Sequence, residues 1–437
     1  MLQARDTWNT DGTRLHPFSV VLLFRPRNIL IPLFFPFLMH FDRCRKGYTM
    51  ATHRVVDPSV TLDRIAGSMP SIGIREVRDI THLDRVGIPV FLALGSIAGN
   101  EAVFKGKGAT PVEAKVSAMM EALERHSAMV NEERIIVAPV SALDAPALDP
   151  PSLILPHPAA YHEGMSLGWT PAVNLITDEK VYVPANAVFH PFPARLGWLF
   201  RSNTNGMASG NCVEEALLHA LCEVIERDAW SLAEVAPGCI PDLVYDGDDP
   251  LISQMLQLFS DAHVAISMKD ITSDIGVPTF VATADDMRLK DPTLLTVGVG
   301  THPSPRIALI RALTEVAQSR LSQIYENEVN PDQAVVKRRL GYERVRVMNR
   351  RWLESSSRSV SYSAIPDYGS PYLLDDIFAI LDALVERGMR HVAMVDLTAP
   401  DSCVPVVRVI VPGLEQCTMD RDRVGPRAWA AAHAGQR

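Results

Sequence analysis

Two apolar helical stretches of this chain each carry a pair of glutamates three residues apart: Glu121 and Glu124 followed by Arg125, and Glu223 and Glu226 followed by Arg227. Positions i and i+3 of a helix share a face, so each stretch presents two carboxylates together. Two such faces brought together would concentrate negative charge, which is costly unless a cation sits between them. The two stretches also superpose upstream without a gap, Gly108 through Glu113-Ala114 falling on Gly210 through Glu215-Ala216. A third stretch, running through Arg311 and Glu315 to Gln318, keeps the leading glutamate and replaces the second by glutamine. Taken alone, Glu121 with Arg125 at i,i+4 reads as a solvated helix face. The repetition, and the apolar company of Glu223 (Leu217, Leu218, Leu221, Cys222, Val224 and Ile225), weigh for a functional site. A partly buried carboxylate needs a cation, a hydrogen bond or a proton.

The segments leading into these helices suit anionic oxygens. Ser202-Asn-Thr-Asn205-Gly206 through Ser209-Gly210-Asn211 opens the second, and Lys105-Gly-Lys107-Gly108 opens the first. Backbone N–H groups and hydroxyls at a helix N-terminus favour phosphate, and Lys107 is a candidate phosphate partner on this ground. Neither lead has the spacing of a P-loop or of a dinucleotide fingerprint. Magnesium takes hard oxygen ligands and commonly bridges protein carboxylates to substrate phosphates. The composite points to a magnesium nucleotide held in an unfamiliar frame.

The elements that must position these helices repeat as well. Asp-Ile/Leu-Thr followed by a proline-led apolar strand occurs at Asp79-Ile80-Thr81 with Pro89, at Asp270-Ile271-Thr272 with Pro278, and at Asp396-Leu397-Thr398 with Pro405. Proline at a strand's first position removes no needed ladder donor. Helical stretches around Leu251 to Ser260 and Leu374 to Glu386 precede two of these pairs, and a turn at Thr177 to Lys180 leads into Val181-Tyr-Val183 between the first two glutamate helices. The expected class is mixed α/β, built from repeated strand-pair plus helix units packed about a pseudo-symmetry axis so that equivalent helices face one another.

Composition sets the outer bounds. At 437 residues and 47% hydrophobic content the chain has material for a large core, roughly two to three domains' worth by length. The net charge of -9, with acids and bases interspersed, does not indicate nucleic acid as a partner. Six cysteines (Cys44, Cys212, Cys222, Cys239, Cys403 and Cys417) without metal-ligand spacing fit a reducing cytoplasm. Residues 1–49 differ in composition from the rest. Their apolar runs, Phe18 to Phe24 and Ile29 to Phe41, are too short and too proline-broken to span a membrane, and the segment reads as a disordered extension or an over-extended start ahead of Met50. The body is then 50–437.

Gly106 to Thr110 with Ser117 to Arg125, Asn205 to Ala216 with Glu223 to Asp228, and Arg311 to Arg320 together resemble the three ATP-binding motifs of the YcaO family, and the likeness extends from about Asp79 to Glu415. The resemblance implies ATP and Mg2+ as cofactors. It implies nucleotide or metal contacts from Ser117, Glu121 and Glu124, from Asn205, Asn211, Glu215, Glu223, Glu226 and Arg227, and from Arg311, Glu315 and Gln318. The glutamates at 121, 124, 215, 223 and 226 are the implied metal ligands. Members phosphorylate a backbone amide oxygen to make azolines or thioamides in ribosomally made peptides. Asn203-Thr204-Asn205-Gly206 and Val411 to Glu415 are similar to the thioamide group that works with TfuA-like proteins, and the end of this chain lacks the Pro-x-Pro-x-Pro tail of many azoline formers. The implied partners are a peptide or protein substrate, a TfuA-like protein and a sulfur donor, with a homodimer left open. Alternatives are an accessory factor of a ribosomal-protein methylthiotransferase, an azoline-forming cyclodehydratase and a non-catalytic peptide binder.

Overall fold

The computed structural model describes residues 40–158, 161–329 and 334–434. In chain order they form α1 (Pro58–Ile65), β1 (Ile74–Asp79), β2 (Val90–Ile97), β3 (Asn100–Lys107), α2 (Pro111–Ser127), β4 (Ile136–Ala138), β5 (Leu167–Asn174), β6 (Glu179–Pro184), β7 (Met207–Ser209) and α3 (Val213–Val235). There follow β8 (Asp242–Val244), α4 (Pro250–Asp261), β9 (Ala265–Asp270), β10 (Thr279–Asp285), β11 (Thr296–Thr301), α5 (Pro305–Val329), α6 (Val335–Leu340), α7 (Tyr342–Met348) and α8 (Arg350–Leu353). The chain closes with β12 (Ser359–Ser361), α9 (Leu373–Glu386), β13 (Ala393–Asp396), β14 (Val406–Ile410) and α10 (Pro426–Ala432). The class is mixed α/β, as expected.

Three sheets carry these strands, in the orders β1-β2-β3, β11-β10-β9-β8-β12 and β4-β5-β13-β14-β7, with β6 paired on β5. Each contains the same antiparallel triplet feeding one of the three site helices: β1-β2-β3 leads into α2, β9-β10-β11 into α5, and β13-β14 with β7 into α3. The Asp-x-Thr pattern explains why. In every copy the aspartate side chain accepts from the threonine N–H (2.8, 2.9 and 2.9 Å at Thr81, Thr272 and Thr398). The threonine hydroxyl in turn accepts from the first N–H of the following strand, at 3.1 Å from Val90, Thr279 and Val406 alike. The proline carbonyl then receives an N–H from the lead of the site helix, at Gly108, His302 and Gly210. What repeats is this local unit. In the third sheet it joins strands from the chain's C-terminal part to a helix begun nearly two hundred residues earlier, a pairing of β14 with β7 that sequence spacing does not suggest.

The site helices start where their sequences say they should. Thr110 and Glu113 form a capping box on α2, with Pro111 at the first helical position. On α3 the N-cap is Cys212, whose side chain makes no capping bond, and Glu215 reaches back to the Asn211 N–H at 3.2 Å instead. Strand and helix within a unit pack closely. A Cβ added to Gly106 would lie 2.1 Å from Ala114 O and Ala118 N, and one added to Gly300 would lie 2.0 Å from Ala308 O on α5.

The composition-based boundary at residue 49 falls within packed structure. Asp42 N–H donates to Glu214 Oε1 at 2.8 Å, and Arg43 forks onto Asp375 at 3.1 and 2.9 Å. Lys46 is buried against Asp376 at 2.5 Å, and Tyr48 donates to Glu113 Oε1 at 2.9 Å. These contacts join residues 65 to 332 positions apart, a range invisible to composition. Residues 1–39 of the expected extension lie outside the described residues. Among the described residues no helix is long and apolar enough to cross a membrane, and all six cysteines are free.

Gly300→Val should destabilise the fold by about 3 kcal/mol through overpacking. Gly67→Ala, where an added Cβ meets nothing within 4 Å, should leave the melting temperature near the wild-type value. Thermal denaturation of the two variants side by side checks this.

Candidate active site

Helices α2, α3 and α5 turn equivalent faces toward one cavity of about 300 Å³. Ser117, Glu121, Glu124 and Arg125 come from α2; Glu215, His219, Glu223, Glu226 and Arg227 from α3; Arg311, Glu315 and Gln318 from α5. Lys107 from the end of β3 and Asn211 from the lead of α3 complete the wall. Of the thirteen site residues expected from sequence, the cavity gathers all but Asn205. That residue is buried in a smaller chamber on the other side of the wall.

Within the wall, some of these side chains orient the backbone and others face the cavity. Glu121 Oε2 accepts from the Lys105 N–H at 2.8 Å while Gln318 Nε2 donates to the Lys105 carbonyl at 2.6 Å, so the end of β3 is clamped between α2 and α5. Glu121 Oε1 takes Arg125 at 3.1 Å. Glu124 Oε1 accepts from the Ser209 N–H and hydroxyl at 2.8 and 2.7 Å, tying α2 to β7. Lys107 pairs with Glu315.

Glu215 holds the lead of its own helix. Its Oε1 accepts from Asn211 N and Nδ2, its Oε2 accepts from the Val55 N–H at 2.9 Å, and Arg54 lies 3.4 Å away. It does for α3 what Glu113 does for α2, holding the helix start. Both oxygens are engaged by the protein, so Glu215 also positions the start of α3 from within the cavity wall.

The electrostatics show where charge is unmatched. Burial pushes the Glu124 carboxyl up to about 7, against the pull of Ser209 and Arg125. Burial likewise raises Glu223 and Glu226, although Arg227 and Arg311 draw both down. For Glu315, burial acts upward too, but Lys107, Arg227 and Arg311 together outweigh it and hold the carboxyl below its usual range. His219, at the repeat position of Ser117 and Arg311, is kept neutral by burial and by Arg311, Arg54 and Lys107. Glu226 Oε2, Arg227 Nε and Arg311 Nε are buried without hydrogen-bond partners. Orphaned oxygen acceptors beside orphaned N–H donors are the complement of a metal-bound polyphosphate.

The glutamates do not close into an all-protein metal cage. Among the described residues, the acid, histidine and thiol sets whose ligand atoms lie within 4.8 Å of one another are Cys44, Cys212 and Glu214, and His53, His302 and Asp376; Asp376 is already paired with Lys46. An open arrangement suits magnesium, which keeps water and takes one or two carboxylates alongside substrate phosphates.

The YcaO cyclodehydratase model, described as ATP- and Mg2+-binding, matches residues 105–415. The chain belongs to the YcaO family. It is 47% identical over 381 residues to an uncharacterized protein of Methanothermobacter thermautotrophicus, covering 86% of this chain and 98% of that one. It is 30% identical over 389 residues to an uncharacterized protein in the tfuA 3' region of Rhizobium leguminosarum bv. trifolii, covering 85% and 91%. The structure of YcaO from Methanopyrus kandleri bound with AMPPCP and Mg2+ superposes with a TM-score of 0.72 at 30% identity, over 87% of this chain and 98% of that one. A heterocyclase in complex with substrate and cofactor shares the fold (TM-score 0.73, 21% identity, 85% of this chain and 53% of that one).

Sequence reasoning missed Arg54 and Arg125 in the cavity wall and Arg408 behind it. Arg408 had a visible signal, a lone guanidinium inside the apolar strand Val406-Val-Arg-Val-Ile410.

A carboxyl easier to protonate in the folded chain than in the unfolded one makes its ionisation a cost to the fold. For Glu124 that cost is absent below the ordinary value of 4.5 and fully present above about 7. Without nucleotide, Glu124→Gln should therefore melt higher than wild type at pH 8, the gap closing as pH falls toward 4.5. Melting curves across that range, with and without magnesium and an ATP analogue, measure it.

Proposed function

We propose that this YcaO protein uses ATP and magnesium to activate a peptide-backbone amide and, with a TfuA-like partner, converts it to a thioamide. The observation that carries the nucleotide part is the convergence of three helix faces on one cavity, two of which bring a buried carboxylate oxygen and guanidinium N–H groups without partners in the protein: Glu226 and Arg227 of α3, and Arg311 of α5. The family description and the magnesium-nucleotide complex of the Methanopyrus relative support the same reading. The relative in a tfuA 3' region supports the thioamide assignment and the partner.

Magnesium, when bound, supplies the positive charge that neutralises phosphate oxygens during phosphoryl transfer. Glu124, Glu223 and Glu226 would hold it. Glu121 and Gln318 keep β3 in position so that Lys107 stands at the cavity's edge, and Glu215 keeps Asn211 at the start of α3. Arg227 and Arg311 direct N–H groups at phosphate oxygens, which is positioning and charge stabilisation without covalent participation by the protein. Ser117 lines the wall where a nucleotide oxygen would pass.

The substrate chemistry follows from the inertness of an amide. Hydrosulfide adds to the carbonyl carbon, the carbonyl π pair moves onto oxygen, and that oxygen takes the γ-phosphoryl group of ATP as ADP departs. The C–O bond then breaks with loss of phosphate, a C=S bond forms from the sulfur lone pair, and the sulfur-borne proton passes to solvent. The net change is amide plus hydrogen sulfide plus ATP to thioamide plus ADP plus phosphate. Cys212 and Cys222 take no part in this scheme; burial pushes the Cys222 thiol up to about 12 and raises Cys212 as well, away from thiolate chemistry.

Incubation of a candidate peptide with ATP, magnesium, sulfide, this protein and the TfuA-like partner should raise the peptide's intact mass by the difference between sulfur and oxygen. Glu226→Gln should lower the rate roughly a hundredfold without lowering the melting temperature. A product lighter by one water would replace the thioamide assignment with ring formation. Failure of the wild type to bind an ATP analogue in the presence of magnesium would remove the nucleotide reading itself.

A further inference from the structure

Behind the wall of the active cavity lies a second, smaller chamber of about 30 Å³, room for one water-sized species. Two guanidinium groups line it, Arg408 of β14 and Arg423, only 4% and 2% exposed. Among the described residues no aspartate or glutamate lines it. Arg423 is satisfied by the protein: it donates to Ile154 O at 2.8 Å and Leu153 O at 2.6 Å and lies 3.8 Å over the ring of Phe200. Arg408 is not. Its Nη2 donates to Asn203 Oδ1 at 3.1 Å, while Nε and Nη1 are buried with no partner.

A guanidinium stripped of water with two of its nitrogens left without acceptors is electrostatically costly, and a fold retains one where something answers it. Burial pushes Arg408 down to about 9 and Arg423 to about 10, the direction expected of cations short of a counter-charge. Glu223 is the acid that acts on Arg408, and it belongs to the neighbouring cavity. The amide of Asn205, whose Oδ1 also lacks a partner, completes the polar side; turned over, it donates instead. Asn203 and Gln416 add neutral amides, joined to each other at 3.1 Å, and the remaining lining, including Leu153, Val224 and Val409, is apolar. Small size, positive charge, neutral amides and apolar neighbours suit a single small monoanion and leave no room for phosphate or a carboxylate.

We infer that this chamber is a subsite for one small anion, and that during the reaction its occupant is hydrosulfide. The first half stands on the chamber alone; the second rests on the thioamide reading above. Location supports it. Asn205 and Val224 line the chamber, while Thr204 and Glu223, the residues immediately before them, line the active cavity. A sulfur nucleophile held there stands one residue's thickness from the glutamates that would hold the metal. It also gives Asn205 a role in sulfur delivery where nucleotide contact was expected.

Bromide, a heavy stand-in for a small anion, tests the first half by anomalous diffraction from crystals of the full chain. A peak within hydrogen-bond distance of Arg408 Nε and Nη1 is the expected result, and crystals with no peak there overturn the anion site. Steady-state kinetics test the second half. Arg408→Met should raise KM for sulfide about tenfold or more, the size of one charge-assisted hydrogen bond, with KM for ATP little changed and Arg408→Lys recovering part of the loss. Bromide should compete with sulfide and not with ATP. If bromide binds but neither competes nor shares the variant's effect, the ion is adventitious only and the hydrosulfide role is overturned. If the wild type forms no thioamide at all, the hydrosulfide role falls with the thioamide reading, while the diffraction result still decides whether the chamber binds an anion. The melting temperature of each variant confirms folding, and removal of an unpaired buried charge should not lower it.

Discussion

Carboxylates buried in a low-dielectric pocket cannot all stay ionised without a cation, and this constraint organises the centre of the molecule. Glu121, Glu124, Glu223, Glu226 and Glu315 face one cavity. The protein answers part of that charge itself, with Arg125 on Glu121 and Lys107 on Glu315. It leaves the rest, above all Glu226, raised toward protonation and with an oxygen unclaimed. An enzyme that must bring a metal to a triphosphate gains from such a deficit, because binding relieves strain already present in the empty fold.

The scaffold produces the convergence by repeating a local device. Each Asp-x-Thr turn directs a strand entrance, each proline carbonyl anchors the lead into a helix, and close strand-to-helix approach at Gly106 and Gly300 sets how near α2 and α5 can come to the site. The repeat tolerates variation where chemistry needs it. Ser117, His219 and Arg311 stand at one position of the unit, and Gln318 stands where the other two copies have glutamate. Repeated local units thus offer three different sets of polar atoms to one cavity.

Much of this was legible in the sequence because it is local. The spacing of the glutamates, the capping box of α2 and the proline-led strands are short-range signals, and α4 and α9 lie where their periodicity places them. What escaped is long-range. Nothing near Met207 indicates that β7 pairs with β14, and nothing near Lys46 foretells its burial against Asp376. Glu215 reads as one more acid in register until its oxygens are seen on Asn211 and Val55. Asn205 shares a sequence motif with the active cavity, yet the chain turns at Gly206, with a φ of 77°, and sends its side chain into the chamber beside Arg408. A motif groups residues by sequence distance, whereas a thin wall between two cavities can separate neighbours.

The central claim is that the glutamates of α2 and α3 jointly hold a divalent ion on a triphosphate. Anomalous diffraction from a crystal grown with Mn2+ and a non-hydrolysable ATP analogue measures it directly. The account predicts a manganese peak in the cavity, about 2.1 Å from carboxylate oxygens of Glu124, Glu223 or Glu226 and shared with the analogue's phosphates. A nucleotide and metal seated elsewhere, with these carboxylates untouched, would contradict it.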